Sequence, residues 1–390
     1  MLIALIDTQW TGHHPLYYKS FFEVLRLQGH DTLAMFPNGI DPSHMSQVNG
    51  FKNKSLDYLA WNPPRLNFSP RRLTVPLRQK LQVPWLIRQL KSWESKTGRK
   101  IDLVFFACLY NRFLKQFSSR FRWPWVGLYL HLEWNAAELA KSNPVLDDAI
   151  ISYFGSHFFR GAGVLDETAL SQFSSMVNCA NIVAFPDFAA EAPPKVSAIS
   201  SELKNFARGR KIVGLAGHLI PSKGVRLLAE AALLLRDHPI AFAFVGEYNP
   251  ASFSDGDNQI ISRAFRGDNV FTYLKRINCD EVWNGVFNSF DINFAAYVNF
   301  PHSSGTLTKT AFFRKPIIVS DGYLMANRVR DYDLGIVLSE FSGLAVANAI
   351  SELLHSSEIT ISEANVARYL QSHSVDRLGP AIDILVRQAF

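Results

Sequence analysis

The sequence predicts an α/β protein of two doubly wound domains whose parallel sheets face one another across a cleft. A chain of 390 residues that is 48% hydrophobic can bury a core large enough for more than one domain. Apolar runs of strand length alternate with amphipathic segments of helix length, the pattern of parallel sheets covered on both faces. The alternation starts twice, at Leu2 and again at Lys211, and a segment of Ala, Pro, Glu and Ser from Ala189 to Ser201 lies between. The predicted domains are therefore 1–195 and 196–370, with 371–390 a C-terminal helix packing back towards the first. Ligands of such folds sit beyond the carboxyl ends of the strands, so the cleft is the expected site.

The first half opens with a buried strand over Leu2 to Asp7, too short and too soon polar for a secretory leader. A loop through Thr11-Gly12-His13-His14 leads into a helix from Pro15 to Gln28, and Gly29 is placed to cap its end. Strands follow at Thr32 to Phe36, Leu103 to Cys108 and Val126 to Leu130, with shorter ones at Gly163 to Asp166 and Ile182 to Phe185. The second half restarts with Lys211 to Gly217, a loop through Pro221-Ser222-Lys223-Gly224 and a helix over Val225 to Leu235. Then come a strand from Ala241 to Val245, a turn at Gly246-Glu247, a strand from Val270 to Tyr273 and a helix near Asp280 to Asn288. A strand from Ile292 to Ala295, a helix from Leu307 to Phe313 and a strand from Pro316 to Ser320 complete the alternation.

The most telling stretch is Pro301-His302-Ser303-Ser304-Gly305-Thr306, just before that last helix. Small residues let a ligand approach the backbone, and the first N–H groups of a helix have no internal partner, so Ser303 to Thr306 are candidate donors to a diphosphate. An ordinary N-cap is the competing reading.

The net charge of +6 conceals an asymmetry: residues 65–125 carry 14 Lys plus Arg against two acids, so the remainder is net acidic. These charges interleave with Leu73, Leu77, Leu81, Trp85, Leu86, Ile87, Leu90 and Trp93 at roughly helical spacing, with Pro84 near the middle. A solvated helix face and a surface for anionic lipid headgroups both fit. Nucleic acid is not expected, since no helix-turn-helix, zinc finger or RNP-like motif accompanies the charge. Cys108, Cys179 and Cys279 are scattered and odd in number, which suits free thiols in a reducing, cytoplasmic setting. No run is long and apolar enough to span a bilayer. The expected location is the cytoplasm, peripheral at the inner face of a membrane if the basic stretch docks there. No cofactor and no metal are expected: no Cys/His spacing suggests zinc, and Asp331-Tyr332-Asp333 spells an acid-x-acid pattern within a polar turn.

Several segments together resemble the GT-B glycosyltransferases, and within them the large retaining group, of the family 4 and family 1 type, that uses nucleotide-diphosphate sugars. Ala216-Gly217-His218-Leu219-Ile220-Pro221-Ser222-Lys223-Gly224 is similar to that group's Gly-Arg-Leu…Lys-Gly loop, with Lys223 at the diphosphate-gripping lysine and His218 where an arginine is usual. Phe244-Val245-Gly246-Glu247 resembles its strand-end Val-Gly turn, and Phe290-Asp291-Ile292 its acidic-residue strand before the donor loop. Lys315-Pro316-Ile317-Ile318-Val319-Ser320-Asp321 is similar to its Gly-x-Pro-Val-Ile-Ala-Ser strand. In the first half, Thr11-Gly12-His13-His14 resembles the glycine-rich acceptor-side loop, and Leu128-Tyr129-Leu130-His131 the strand ending in the active-site histidine. The chain departs from the pattern where two glutamates are usual, with Pro301 and Lys309 in their places.

The resemblance implies two Rossmann-like domains, the first on the acceptor side and the second binding the nucleotide sugar. It implies transfer of the sugar to an acceptor with retention of configuration and without a metal. His131 and Lys223 are the expected catalytic residues. Gly217, His218, Glu247, His302, Ser303, Ser304, Gly305, Thr306 and Lys309 are expected at the donor, and Gly12, His13, His14 and Glu133 on the acceptor side. A nucleotide-sugar epimerase or a phosphorylase of the same fold, and a family member that binds a sugar nucleotide without turnover, are the alternatives. The last is motivated by Pro301 and Lys309.

Overall fold

A computed structural model describes residues 1–41, 57–63, 71–109, 121–130, 154–355 and 361–390, with the backbone alone over 71–80. The described residues up to 130, those from 154 to Pro186 and Val375–Phe390 form one compact unit, and Asp187–Ser374 belong to a second.

The first unit contains β1 (Leu2–Ile6), α1 (His14–Leu27), β2 (Asp31–Pro37), β3 (Asp57–Trp61), α2 (Arg71–Thr97), β4 (Leu103–Leu109), β5 (Trp125–Tyr129), β6 (Phe159–Val164), α3 (Leu170–Val177) and β7 (Ile182–Ala184). Its seven strands are parallel, in the order β3-β2-β1-β4-β5-β6-β7. β1 and β4 at the centre are buried at every position, as a sheet covered on both faces requires. In α1 the buried residues His14, Tyr17, Tyr18, Phe21, Phe22 and Leu25 recur every three or four positions, so one stripe meets the sheet. In α2 the buried stripe is Val83, Leu86, Leu90 and Trp93, while Arg88, Lys91 and Lys96 are exposed. The helix runs through Pro84, which is itself exposed. A C-terminal helix, Leu378–Arg387, joins this unit: Gln28 donates to the Gly379 carbonyl and Asn181 to that of Leu385, both at 2.9 Å.

The second unit contains α4 (Ala198–Ala207), β8 (Lys211–Ala216), α5 (Val225–Leu234), β9 (Ile240–Val245), α6 (Asp255–Phe265), β10 (Val270–Tyr273), α7 (Asp280–Phe287), β11 (Ile292–Ala295), α8 (Gly305–Phe312), β12 (Ile317–Ser320), α9 (Leu324–Tyr332), β13 (Gly335–Leu338), α10 (Gly343–His355) and α11 (Glu363–His373). The sheet order β10-β9-β8-β11-β12-β13 is that of a doubly wound half-and-half sheet. Every pairing is parallel. β9 alternates Phe242 and Phe244 with alanines. The two rings enter the main core beside α5 and α6, and each stabilises the fold by roughly 1.5–3 kcal/mol through burial. Ala241, Ala243 and Val245 face a smaller cluster with Leu203, Phe287 and Phe290. Asp291, at the start of β11, accepts from the Ile212 N–H at 2.9 Å and pairs with Lys211 at 3.2 Å, so this carboxylate ties two strand starts together.

Candidate functional site

In the second sheet the chain leaves β8 towards β9 on one side and leaves β11 towards β12 on the other. The loops beyond the carboxyl ends of β8 and β11 diverge there, which opens a crevice. Backbone hydrogen bonds help to hold the loop after β8 against its neighbours, with Leu219 buried in the core. Leu219 N–H donates to the Glu247 carbonyl at 2.9 Å and Val298 N–H to that of Ser222 at 2.8 Å. Gly224 has φ +70° and a Cβ there would collide with the Ala296 carbonyl, so only glycine lets this loop lie on the end of β11. Gly246 likewise abuts the Gly217 carbonyl, whereas the space beside the Gly217 Cα is open.

This packing sets the Lys223 ammonium 3.6 Å from the centre of the Tyr297 ring and 4.7 Å from that of Phe300. Tyr297 is buried, and its hydroxyl donates to Thr306 Oγ1 at 3.1 Å, so one ring joins the lysine to the start of α8. Burial by itself raises the Tyr297 phenol, but the Lys223 charge and hydrogen bonding with Thr306, Ser304 and Lys223 outweigh it and leave the group below its ordinary value. Ser304 is the N-cap of α8, its hydroxyl accepting from Thr306 N–H at 3.3 Å. The amides of Ser304 and Gly305 donate to no acceptor among the described residues. The ordinary cap and the anion site are therefore compatible: the cap consumes the Thr306 amide and leaves two others. A lysine ammonium and two helix-start amides present concentrated positive potential at one crevice.

The other expected residues fall into three groups. His218 and Glu247 are exposed on loops beyond β8 and β9. His302 is half-buried with its ring edge-on to Phe300, 5.4 Å between centres. Ser303 and Lys309 are engaged elsewhere by their side chains. Ser303 hydrogen bonds to the Asp187 carboxylate and accepts from Arg328 at 2.5 Å, within a buried pair whose charges lie 3.2 Å apart. The Lys309 ammonium donates to Asn284 Oδ1 on α7 at 2.6 Å, and Asn284 in turn donates to the Ala190 and Ala192 carbonyls. Burial lowers the Lys309 pKa to about 8, against the raising influence of Asp280.

In the first unit Gly12 lies between β1 and α1, His13 is the N-cap of α1 and His14 its first residue. His14 is buried, its Nδ1 2.8 Å from the carboxylate of the equally buried Asp7, and the rings of His13 and His14 stack at 4.8 Å. His131 and Glu133 lie outside the described residues, as do Arg65, Arg112, Lys115 and Arg120 of the basic stretch. Asp333 ends α9 in a left-handed turn and accepts from Asn365, which is a structural task.

Tyr297, Arg328, Asp187 and Asn284 are the participants that sequence reasoning missed. Tyr297 had a signal, being a polar aromatic just past the end of a buried strand. The Arg328 and Asp187 pair had none, because its members are 141 positions apart.

No protein-family model matches the sequence, and no curated protein matches it by sequence. Solved structures do match in shape. A sucrose-phosphate synthase from Thermosynechococcus elongatus superposes with TM-score 0.70 at 15% identity, over 99% of this chain and 98% of its own. Anabaena HepE, in complex with UDP and glucose, gives 0.69 at 14% identity over 99% of both chains. A UDP-forming α,α-trehalose-phosphate synthase from Burkholderia xenovorans gives 0.65 at 12% identity over 100% of this chain and 99% of that one. The whole described chain, with its seven-stranded and six-stranded parallel sheets, has the fold of the GT-B glycosyltransferases.

Proposed function

We propose that the protein transfers a sugar from a nucleoside diphosphate donor, held by the second unit, to an acceptor bound on the first. The observation that carries this is the Lys223 ammonium poised over Tyr297 beside the unused amides of Ser304 and Gly305. Breaking a sugar–diphosphate bond builds negative charge on the leaving oxygens. Fixed positive groups at that point therefore stabilise the transition state more than the ground state. Lys223 and the α8 start supply this charge without a divalent ion in the transfer step. Retention follows the resemblance to the retaining group, with the leaving phosphate accepting the acceptor proton. HepE is solved with UDP-glucose, which makes uridine diphosphate sugars the first donors to try.

Gly217 leaves room for the donor, and His218, Glu247 and His302 are the groups nearest to read its sugar or base. The Gly12 to His14 loop is the acceptor-side counterpart, with Glu133 on the same side, and the resemblance makes His131 a catalytic residue. The exposed Arg88, Lys91 and Lys96, opposite the buried stripe of α2, favour an acceptor at an anionic membrane surface, where each is worth about 1 kcal/mol. Among the described residues no helix is long and apolar enough to cross a membrane.

Two assays test the reading. UDP release from UDP-glucose and other nucleotide sugars is expected with wild type and to fall about 100- to 1,000-fold in Lys223→Ala. No release from any nucleotide sugar, or equal release by the variant, would contradict it. Co-sedimentation with phosphatidylserine vesicles but not neutral ones, weakening as salt rises, is the expected signature of the surface. Absence of binding at low salt would reject that part alone.

A further inference from the structure

The amides of Ser304 and Gly305 can meet a diphosphate only while their direction is fixed, and a buried residue far away in sequence is placed to fix it. Asp187 is 3% exposed. Ser303, just before the two amides, donates its hydroxyl to the Asp187 carboxylate across 116 positions of sequence. Thr308, just after them in the first turn of α8, donates its hydroxyl to the Asp187 carbonyl and lies 2.9 Å from the Tyr369 hydroxyl. The residues that follow Asp187 stay beside the helix. The Ala189 Cβ is 3.9 Å from where a side chain on Gly305 would begin. Asn284 donates to the Ala190 and Ala192 carbonyls at 3.1 and 2.6 Å while it accepts from Lys309.

We propose that Asp187 is a positioning residue for the donor diphosphate: its carboxylate and its carbonyl grip α8 on either side of Ser304 and Gly305 and keep their amides turned to the crevice. This rests on the reading of that crevice as a diphosphate site. Asp187 acts through Ser303 and Thr308. Donors fixed in advance stabilise developing charge because nothing must reorganise when it appears, and a tilt of the first helical turn forfeits that advantage. A carboxylate behind an anion site would by itself repel the anion. Arg328 cancels the repulsion: its Nη1 is 3.2 Å from the Asp187 carboxylate and donates to Ser303 Oγ at 2.5 Å, so the pair presents little net charge to the phosphates. A serine hydroxyl has one hydrogen, and that of Ser303 is committed to Asp187. Its side chain therefore serves the diphosphate by holding the turn and not by donating to a phosphate oxygen.

Titration calorimetry of the full chain with UDP and with uridine, beside urea denaturation, tests this. Ser303 is half-buried in a loop, so Ser303→Ala should leave the unfolding midpoint nearly unchanged. Its UDP affinity is expected to fall about tenfold with uridine unaffected, and Ser303→Thr, which keeps a hydroxyl, should regain most of that loss. Thr308→Val should show the same selective loss. Asp187→Ala should weaken UDP by a similar or larger factor, and adding Ser303→Ala to it should weaken UDP little further, because both changes remove one contact. Should Asp187→Ala fail to fold, the Ser303 and Thr308 variants decide alone. UDP affinity unchanged in Ser303→Ala or in Thr308→Val, or equal losses for UDP and uridine, would overturn the proposal and leave the transferase reading standing. A wild type that binds no UDP would remove both.

Discussion

Lys223 shows how a single residue's setting decides its use. Its charge rests on an aromatic face, a contact worth about 0.5–2 kcal/mol, which holds the long side chain near one geometry without neutralising it against a carboxylate. Tyr297→Phe keeps the ring and removes the hydroxyl with its hydrogen bonding to Thr306, Ser304 and Lys223. Nucleotide affinity, read by calorimetry, should then fall by about three- to tenfold, with a larger loss in Tyr297→Leu; equal affinities in all three proteins would show that the ring positions nothing. Lys309 carries the opposite lesson. The sequence placed it at the donor, and the fold turns its ammonium to Asn284. Its pKa of about 8 lies below the unfolded value of about 10.4, so between those values the unfolded chain binds the extra proton. Stability should thus rise as pH climbs from about 8 to 10, by about 2–3 kcal/mol in total, and Lys309→Met should flatten that rise. Identical slopes for the two proteins in urea titrations would refute the assignment. Residue identity was legible at Lys223 because a motif named it; the direction of Lys309 was not, since that depends on a partner 25 positions away.

At the scale of elements, α8 carries the most testable claim. Gly305 is its first helical residue, only the Ala189 Cβ lies near the space a side chain would take, and Ser304 has the extended backbone a following proline requires. Gly305→Pro should therefore keep the helix while deleting one amide donor. Nucleotide affinity should drop about tenfold with little change in Tm, and unchanged affinity would remove that amide from the site. The loop entering α8 depends on the buried Arg328 and Asp187 pair. Arg328→Met removes the cation 3.2 Å from the buried Asp187 carboxylate, at an expected cost of about 3–5 kcal/mol in chemical denaturation; a loss under about 1 kcal/mol would show that this pair does not hold the loop. Elements with a strong apolar period, such as α1, β9 and β11, were readable within a residue or two. α6 was not, because only Ile261 and Ala264 of its eleven residues are buried. β3 was hidden for a related reason: an edge strand with four half-buried positions offers neither an apolar run nor a clean alternation.

At the scale of the molecule, the repeated strand and helix alternation was enough to announce two parallel sheets, and both are present. The order of the strands, and hence the place where loops part, came only with the structure. That order puts Lys223 and α8 at one switch point and His13, His14 and Cys108 at the other, although neither grouping is contiguous in sequence. The central claim is that the first of these crevices recognises a diphosphate through the lysine and the helix start. Titration calorimetry of wild type and Lys223→Ala with UDP and with uridine measures this most directly. The expected outcome is UDP binding that weakens about 10- to 100-fold in the variant, with uridine weak and equal in both proteins. UDP bound as tightly by Lys223→Ala as by wild type would contradict the account.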